Sequence, residues 1–317
     1  MSGFSVAPMF AIACLLTSGC TQTAQITYWQ PAELGPHEFR NIAVADLDGA
    51  GSHSFEMEIE KQIAKAEHLN FVDTASFEPS IQQAMHAEGD TAEVERLLYF
   101  VQRKGIDAII DGEVTEFDST PPPVENGGKA DSFRTIDQAR ISVTLRLIDS
   151  ETGETLEERK ISRDFDRQRQ GVGRQFSSRY GVQTRLTREC VAEFMELLAP
   201  HEAHATIELA QGELFSLNGL DVQRGVKRAV DGDWEAAERI WRSVIEREPE
   251  NDAALFNLAI AAANRQDYCA AEDYAMQAIR IRHTECYAAG QEQIRQFHSH
   301  ESRIERNCDI PLTARLP

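Results

Sequence analysis

The spacing of apolar and polar positions divides the chain into four stretches. The first is an uncharged, mostly apolar run from Phe4 to Leu16 that stops at Thr17-Ser18-Gly19-Cys20 and gives way to polar Thr21-Gln22-Thr23. It is too short for a permanent membrane-spanning helix, which needs about 20 apolar residues. Residues 21–38 read as a linker.

From 39 to 210 the pattern switches repeatedly between strand and helix periods. Ile42-Ala43-Val44-Ala45 predicts a buried strand closing in a turn at Asp46-Leu47-Asp48-Gly49. Ser54 is placed to cap a helix whose Phe55, Ile59 and Ile63 recur at four-residue spacing. Leu69 to Asp73 reads as a second strand. Val94, Leu97, Leu98 and Val101 predict a helix over 91–104, closed by Gly105, and Ile106 to Val114 reads as a buried strand. Pro121-Pro122-Pro123 and Asn126-Gly127-Gly128 exclude regular structure there. Ile141, Val143, Leu145 and Leu147 alternate with polar neighbours, as in a half-buried strand. A turn at Asp149 to Glu154 and a return strand from Thr155 to Phe165 complete a hairpin. A loop over 166–183, a helix from Thr184 to Leu198 stopped by Pro200, and an edge strand from His204 to Leu209 follow. This order predicts an α+β domain, a mixed α/β sandwich with helices on a small mixed sheet.

Beyond 210 the chain repeats itself. Gly232-Asp233-Trp234-Glu235-Ala236-Ala237-Glu238 recurs as Gln266-Asp267-Tyr268-Cys269-Ala270-Ala271-Glu272, and Ile245 recurs as Ile279, all 34 positions on. With Pro249 between the copies, this predicts an all-α helical repeat domain over 211–317.

Composition narrows the functions available. The chain has 317 residues, enough for two cores, and 32 Lys and Arg against 52 Asp and Glu give a net charge of −20. Such a chain repels nucleic acid. Lys160, Arg163, Arg167, Arg169 and Arg174 make one basic-leaning stretch. It reads as a solvated loop, with an acidic partner or a lipid A phosphate as the functional alternative.

Little in the chain carries chemistry. Asp46-x-Asp48-Gly49 starts like a calcium loop but lacks the later ligands. His201 and His204 are separated from a helix by Pro200, and His298 and His300 lie in a polar tail. There is no Gly-x-Ser-x-Gly elbow, phosphate-binding glycine loop or His-Glu-x-x-His. The expectation is a protein that is not an enzyme and holds no metal or cofactor.

Three resemblances add to this. The apolar run ending Ser18-Gly19-Cys20 resembles a bacterial lipoprotein signal, although Thr17 stands where Leu is usual and no Lys or Arg precedes Cys20. It implies a signal peptide over 1–20, acyl chains (palmitate among them) on Cys20, and an extracytoplasmic mature chain. Thr21 rather than Asp after the cysteine implies the periplasmic face of the outer membrane. In that oxidising compartment Cys190, Cys269, Cys286 and Cys308 have three pairings open to them. A Cys286–Cys308 disulfide would tie down the C-terminal segment, and four buried thiols are the alternative.

The second resemblance covers about 39–200. Ile42-Ala43-Val44-Ala45-Asp46-Leu47-Asp48-Gly49, Gly105 to Val114, and Leu145-Arg146-Leu147-Ile148-Asp149 with Thr152-Gly153-Glu154 are similar to the curli-secretion lipoprotein superfamily, which includes lipoprotein activators of penicillin-binding proteins. The stretch 118–135 lacks the alternation of a membrane hairpin, so a pore is not expected. The third is the 34-residue period, which resembles tetratricopeptide repeats and implies a concave groove for a partner protein. The residues expected to line it are Trp234, Trp241, Phe256, Asn257, Tyr268 and Tyr274. Together these imply a lipid-anchored periplasmic adaptor that binds envelope proteins, in cell-wall synthesis or envelope assembly. The alternative is a component of a curli-like export complex forming a ring oligomer.

Overall fold

A computed structural model describes residues 22–34, 39–73, 103–120, 136–171, 178–212 and 218–308. Cys20 and the helix expected over 91–104 lie outside these, apart from the helix's last residues. The chain is a mixed α+β protein in two compact units, one of residues 1–30 and 202–303, the other of 31–201 and 304–317.

The α/β unit is built on a sheet of β2 (Asn41–Val44), β3 (Asp48–Gly49), β4 (Asn70–Val72), β5 (Ala108–Thr120), β6 (Gln138–Asp149) and β7 (Thr155–Asp166). The order is β4-β2-β5-β6-β7, with β3 also pairing β5. β2 is parallel to β4 and β5, while β5, β6 and β7 run antiparallel. The two kinds of strand carry different patterns. Ile42, Ala43, Val44, Ala108, Ile109 and Ile110 are consecutive buried residues, because parallel strands are covered on both faces. β6 instead buries Ala139, Ile141, Val143, Leu145 and Leu147 and turns the residues between them outward.

Helices α1 (Ser52–Lys65) and α2 (Arg179–Met195) pack on one face of that sheet, bringing Phe55, Ile59, Ile63, Leu186, Val191 and Phe194 into one core with the strands. Two expectations shift here. Ser54 does not cap α1, which starts earlier, behind Gly51 in the left-handed region (φ 85°). α2 begins at Arg179 rather than 184, with Ser178 Oγ accepting from the Gly181 N–H at 3.2 Å. Its first three residues, Arg179 to Gly181, are exposed, so burial starts only at Val182. Gly112 is required where β5 meets β6, since a Cβ there would stand 2.2 Å from the Thr144 carbonyl oxygen.

The helical unit holds α3 (Gly219–Val230), α4 (Trp234–Arg247), α5 (Asp252–Asn264), α6 (Tyr268–Ile281) and most of α7 (Glu285–Cys308). The repeat is visible at atomic scale. Asp233 caps α4 through the Ala236 N–H (3.2 Å), and Asp267 caps α6 through the Ala270 N–H (3.1 Å). The residues before those caps, Gly232 (φ 84°) and Gln266 (φ 64°), both take the left-handed turn. α3 and α4 close on each other because Gly225 leaves room for Trp241, whose indole N–H donates to the Val222 carbonyl at 3.1 Å.

This unit also contains strands. β1 (Gln22–Gln30) lies in the stretch expected to be a linker, and it pairs with β8 (His201–Leu209) in a separate two-stranded sheet. β8 was expected at the edge of the α/β sheet. Side-chain bonds Gln25 to Thr206 (3.3 Å) and Thr27 to His204 (3.2 Å) run in opposite senses along the two strands, an antiparallel register that sets Gln22 against Leu209. Ala24, Ile26, Ile207 and Leu209 turn inward onto α3 and α5 and join the core of the helices. A hydrophobic face of that kind needs a cover, and the short strand pair supplies it.

Candidate functional site

Four of the six residues expected to line a groove are buried in the core instead. Trp241, Phe256 and Asn257 are fully buried and Tyr268 is 2% exposed, while Trp234 and Tyr274 are half-buried against the same core. The reason is the small number of helix pairs, which leaves the large side chains of each pair to fill the interior. Phe256 stacks on Tyr287 with centroids 4.5 Å apart, and α7 approaches it through Gly290, where a Cβ would stand 2.5 Å from the ring. Burial, before all else, pushes the Tyr268 hydroxyl far above its ordinary range.

Asn257 has a different role from the one expected. Its side-chain oxygen accepts from the Ala210 N–H at 2.8 Å and its amide donates to the Ala210 carbonyl at 2.9 Å. Both backbone groups just beyond β8 are thereby satisfied inside an apolar core, where an unpaired polar group is costly.

Among the described residues, two concave surfaces bear on partner binding. On the α/β unit a groove of about 590 Å³ lies over β5, β6 and β7, where outward Ser142, Thr144, Lys160 and Ser162 meet. Ser142 and Ser162 bond through their hydroxyls at 2.9 Å, and Glu116 accepts from Ser142 at 3.2 Å. On the helical unit a groove of about 380 Å³ runs between α3 and α4, lined by Arg224, Arg228, Arg239 and Arg247 around Asp221. No motif flagged these arginines, because they are shared between two helices and become neighbours only when the hairpin closes.

Two residues of the basic-leaning stretch are paired with carboxylates. Arg163 bridges Glu193, and Arg167 bridges Asp137 at 2.5 Å. Arg174 lies outside the described residues. Among the described residues no group of three or more His, Cys, Asp or Glu is placed to hold a metal. His201 and His204, three apart on β8, point to opposite faces of the strand.

The Cys286–Cys308 bridge is excluded by helix geometry. Both residues lie on α7, and at 1.5 Å per residue their backbones stand about 33 Å apart. A disulfide spans Cα atoms no more than about 7 Å apart. Cys190, Cys269 and Cys286 are free thiols. Burial pushes Cys190 and Cys286 up to about 11.

No family model matches this sequence, and no curated protein does. Among solved structures, the PelC dodecamer from Paraburkholderia phytofirmans overlays 56% of this chain and 97% of its own at 11% identity, with a TM-score of 0.32. The hypothetical protein CT253 from Chlamydia trachomatis covers 50% of this chain and 98% of its own at 14% identity and a TM-score of 0.34. The LpoB C-terminal domain from Salmonella enterica covers 42% and 87% at 10% identity and a TM-score of 0.25. At that level of overlap no residue role passes from those proteins to this one. No described helix is long and apolar enough to cross a membrane.

Proposed function

We propose that this chain is a lipid-anchored adaptor of the bacterial cell envelope, acylated at Cys20 and held at the periplasmic face of the outer membrane. Its helical unit is a short tetratricopeptide-type array that takes a protein partner. Its α/β unit, of the curli-secretion type, engages a second envelope protein, in cell-wall synthesis or envelope assembly. The observation that carries this reading is Ser18-Gly19-Cys20 at the end of an uncharged apolar run. Two further facts support it. The caps and left-handed turns of the helical unit recur 34 residues apart, as in stacked helix hairpins. These two surfaces are open and carry charged and hydroxyl side chains, suited to protein rather than to small apolar ligands. Nothing assigns a catalytic role to any residue.

Intact mass spectrometry of the membrane-extracted protein, after crosslinking in cells, tests it. The expected result is a chain starting at acylated Cys20 with an envelope protein attached. An unmodified chain starting at Met1 overturns compartment and function together. Sizing in detergent separates the ring-forming alternative, which requires a defined oligomer.

A further inference from the structure

We propose that the arginine-lined groove between α3 and α4 docks on the anionic lipid headgroups of the leaflet that holds the acyl chains of Cys20. The proposal deepens the anchored-adaptor reading and rests on it for the identity of the membrane.

The argument starts from charge. On a chain of net charge −20, this groove gathers Arg224, Arg228, Arg239 and Arg247 around one lining carboxylate, Asp221. Asp221 is shared, accepting from Arg224 at 3.0 Å and from Arg247 at 2.8 Å. Arg228 has only exposed Asp233 at 3.7 Å, and Arg239 has no carboxylate partner among the described residues. The lining therefore holds a surplus of guanidinium groups, whose planar forks match phosphate oxygens. Exposed charges act only over about 8–10 Å in physiological salt, so the acidic remainder of the chain does not cancel a patch pressed against headgroups.

Position selects the lipid over an acidic protein. Cys20 stands two residues before Gln22, the first residue of β1, a reach of about 7 Å at most. β1 pairs with β8, and Ala24 and Ile26 belong to the core of the helical unit. The β1–β8 register sets Gln22 against Leu209, and Gly212, three residues on, lies against the backbone of Gly219 at the start of α3. Adding these steps keeps the start of β1 within roughly 20 Å of the first turn of α3. That turn carries Leu220, 65% exposed, four residues from Arg224 and so on the same side of the helix. An exposed leucine beside guanidinium groups is the pattern of a surface resting at the headgroup boundary. One anchor and one basic surface together make the two signals that stable attachment needs.

The test uses the mature chain from Thr21 to Pro317, which carries neither the apolar signal nor an acylated cysteine at its start, so that binding through the groove is read apart from anchoring. Phosphatidylcholine vesicles with and without phosphatidylglycerol are the probes, and cosedimentation is the readout. The expected result is binding to the anionic vesicles alone, weakened by salt. Arg228→Glu with Arg239→Glu should reduce it roughly 25-fold or more, at about fivefold per arginine. Both side chains lie outside the Asp221 bridges, which the variant keeps, and the one pair it loses is the 3.7 Å contact of Arg228 with exposed Asp233. Arg295→Glu, on exposed α7, should leave binding unchanged. Equal binding to neutral vesicles, no loss on reversal, or an equal loss with Arg295→Glu overturns the proposal. Binding to polyglutamate with none to vesicles also overturns it and reassigns the groove to an acidic protein. Acylation at Cys20 is read independently by mass, so failure of the groove and failure of the anchor are told apart.

Discussion

The two units solve the same burial problem with different materials. The α/β core is made of large aliphatic and aromatic side chains set by strand alternation, with α1 and α2 laid on one face. The helical core is made largely of alanine. α5 buries eleven of its thirteen residues, six of them Ala, so it is apolar nearly all round and must sit at the centre of its unit. Small residues bring helices close, and the few large ones, Trp241 and Phe256, become plugs fitted against Gly225 and Gly290. A core of small residues thus concentrates its stability in a few side chains, whereas a core of many aliphatics spreads it.

That contrast is tested first by Trp241→Ala against Ile59→Ala. The tryptophan truncation should cost about 3–5 kcal/mol and the isoleucine truncation about 2–5 kcal/mol, each lowering the melting of its own unit in calorimetry. A shift of both units by either variant would break the division into two cores. Asn257→Leu comes next. It leaves the Ala210 N–H and C=O unpaired in an apolar setting and should cost about 2–4 kcal/mol by denaturant unfolding.

A smaller effect is expected from pH. Amide donors from Asn251 and Asn218 hold the Glu248 carboxyl below its ordinary value of 4.5. A lowered folded pKa stabilises the fold above that ordinary value and is lost as pH falls through the folded one. The stability gap between the parent and Glu248→Gln should therefore narrow below about pH 4.5, and a gap constant with pH would refute the role given to the carboxylate. The smallest effect is a gain. Gln266→Gly, matching Gly232, should raise stability by up to about 1 kcal/mol by relieving a left-handed side-chain residue.

How much was legible in the sequence also differs between the units. Alternation located β6 and β7, and the 34-residue period located the helix hairpins. Sheet order was not legible, because pairing β2 with β5 joins residues over 60 positions apart and no local pattern records it. β1 left a usable trace, since Ala24 and Ile26 alternate with Thr23, Gln25 and Thr27. Its place beside the signal made it read as linker. The groove was misassigned because aromatic spacing reports that a residue is buried, and Trp241 and Tyr268 look alike in sequence whether they face a partner or a neighbouring helix.

The pairing of β1 with β8 has a consequence for how the chain comes to exist. Gln25 waits for Thr206, 181 residues later, so β1 emerges long before the strand it pairs with and is among the last to find its place. The sheet and the two helices of the α/β unit lie wholly in between and can fold while the ends of the helical unit are still apart. Closing so long a loop is entropically costlier for an unstructured chain than for one whose middle has already compacted. Residues 33 and 34 bond to the carbonyls of residues 196 and 197, which brings the two ends of that middle side by side. The order of folding is thus written into the order of the strands, with the middle first and the ends together afterwards.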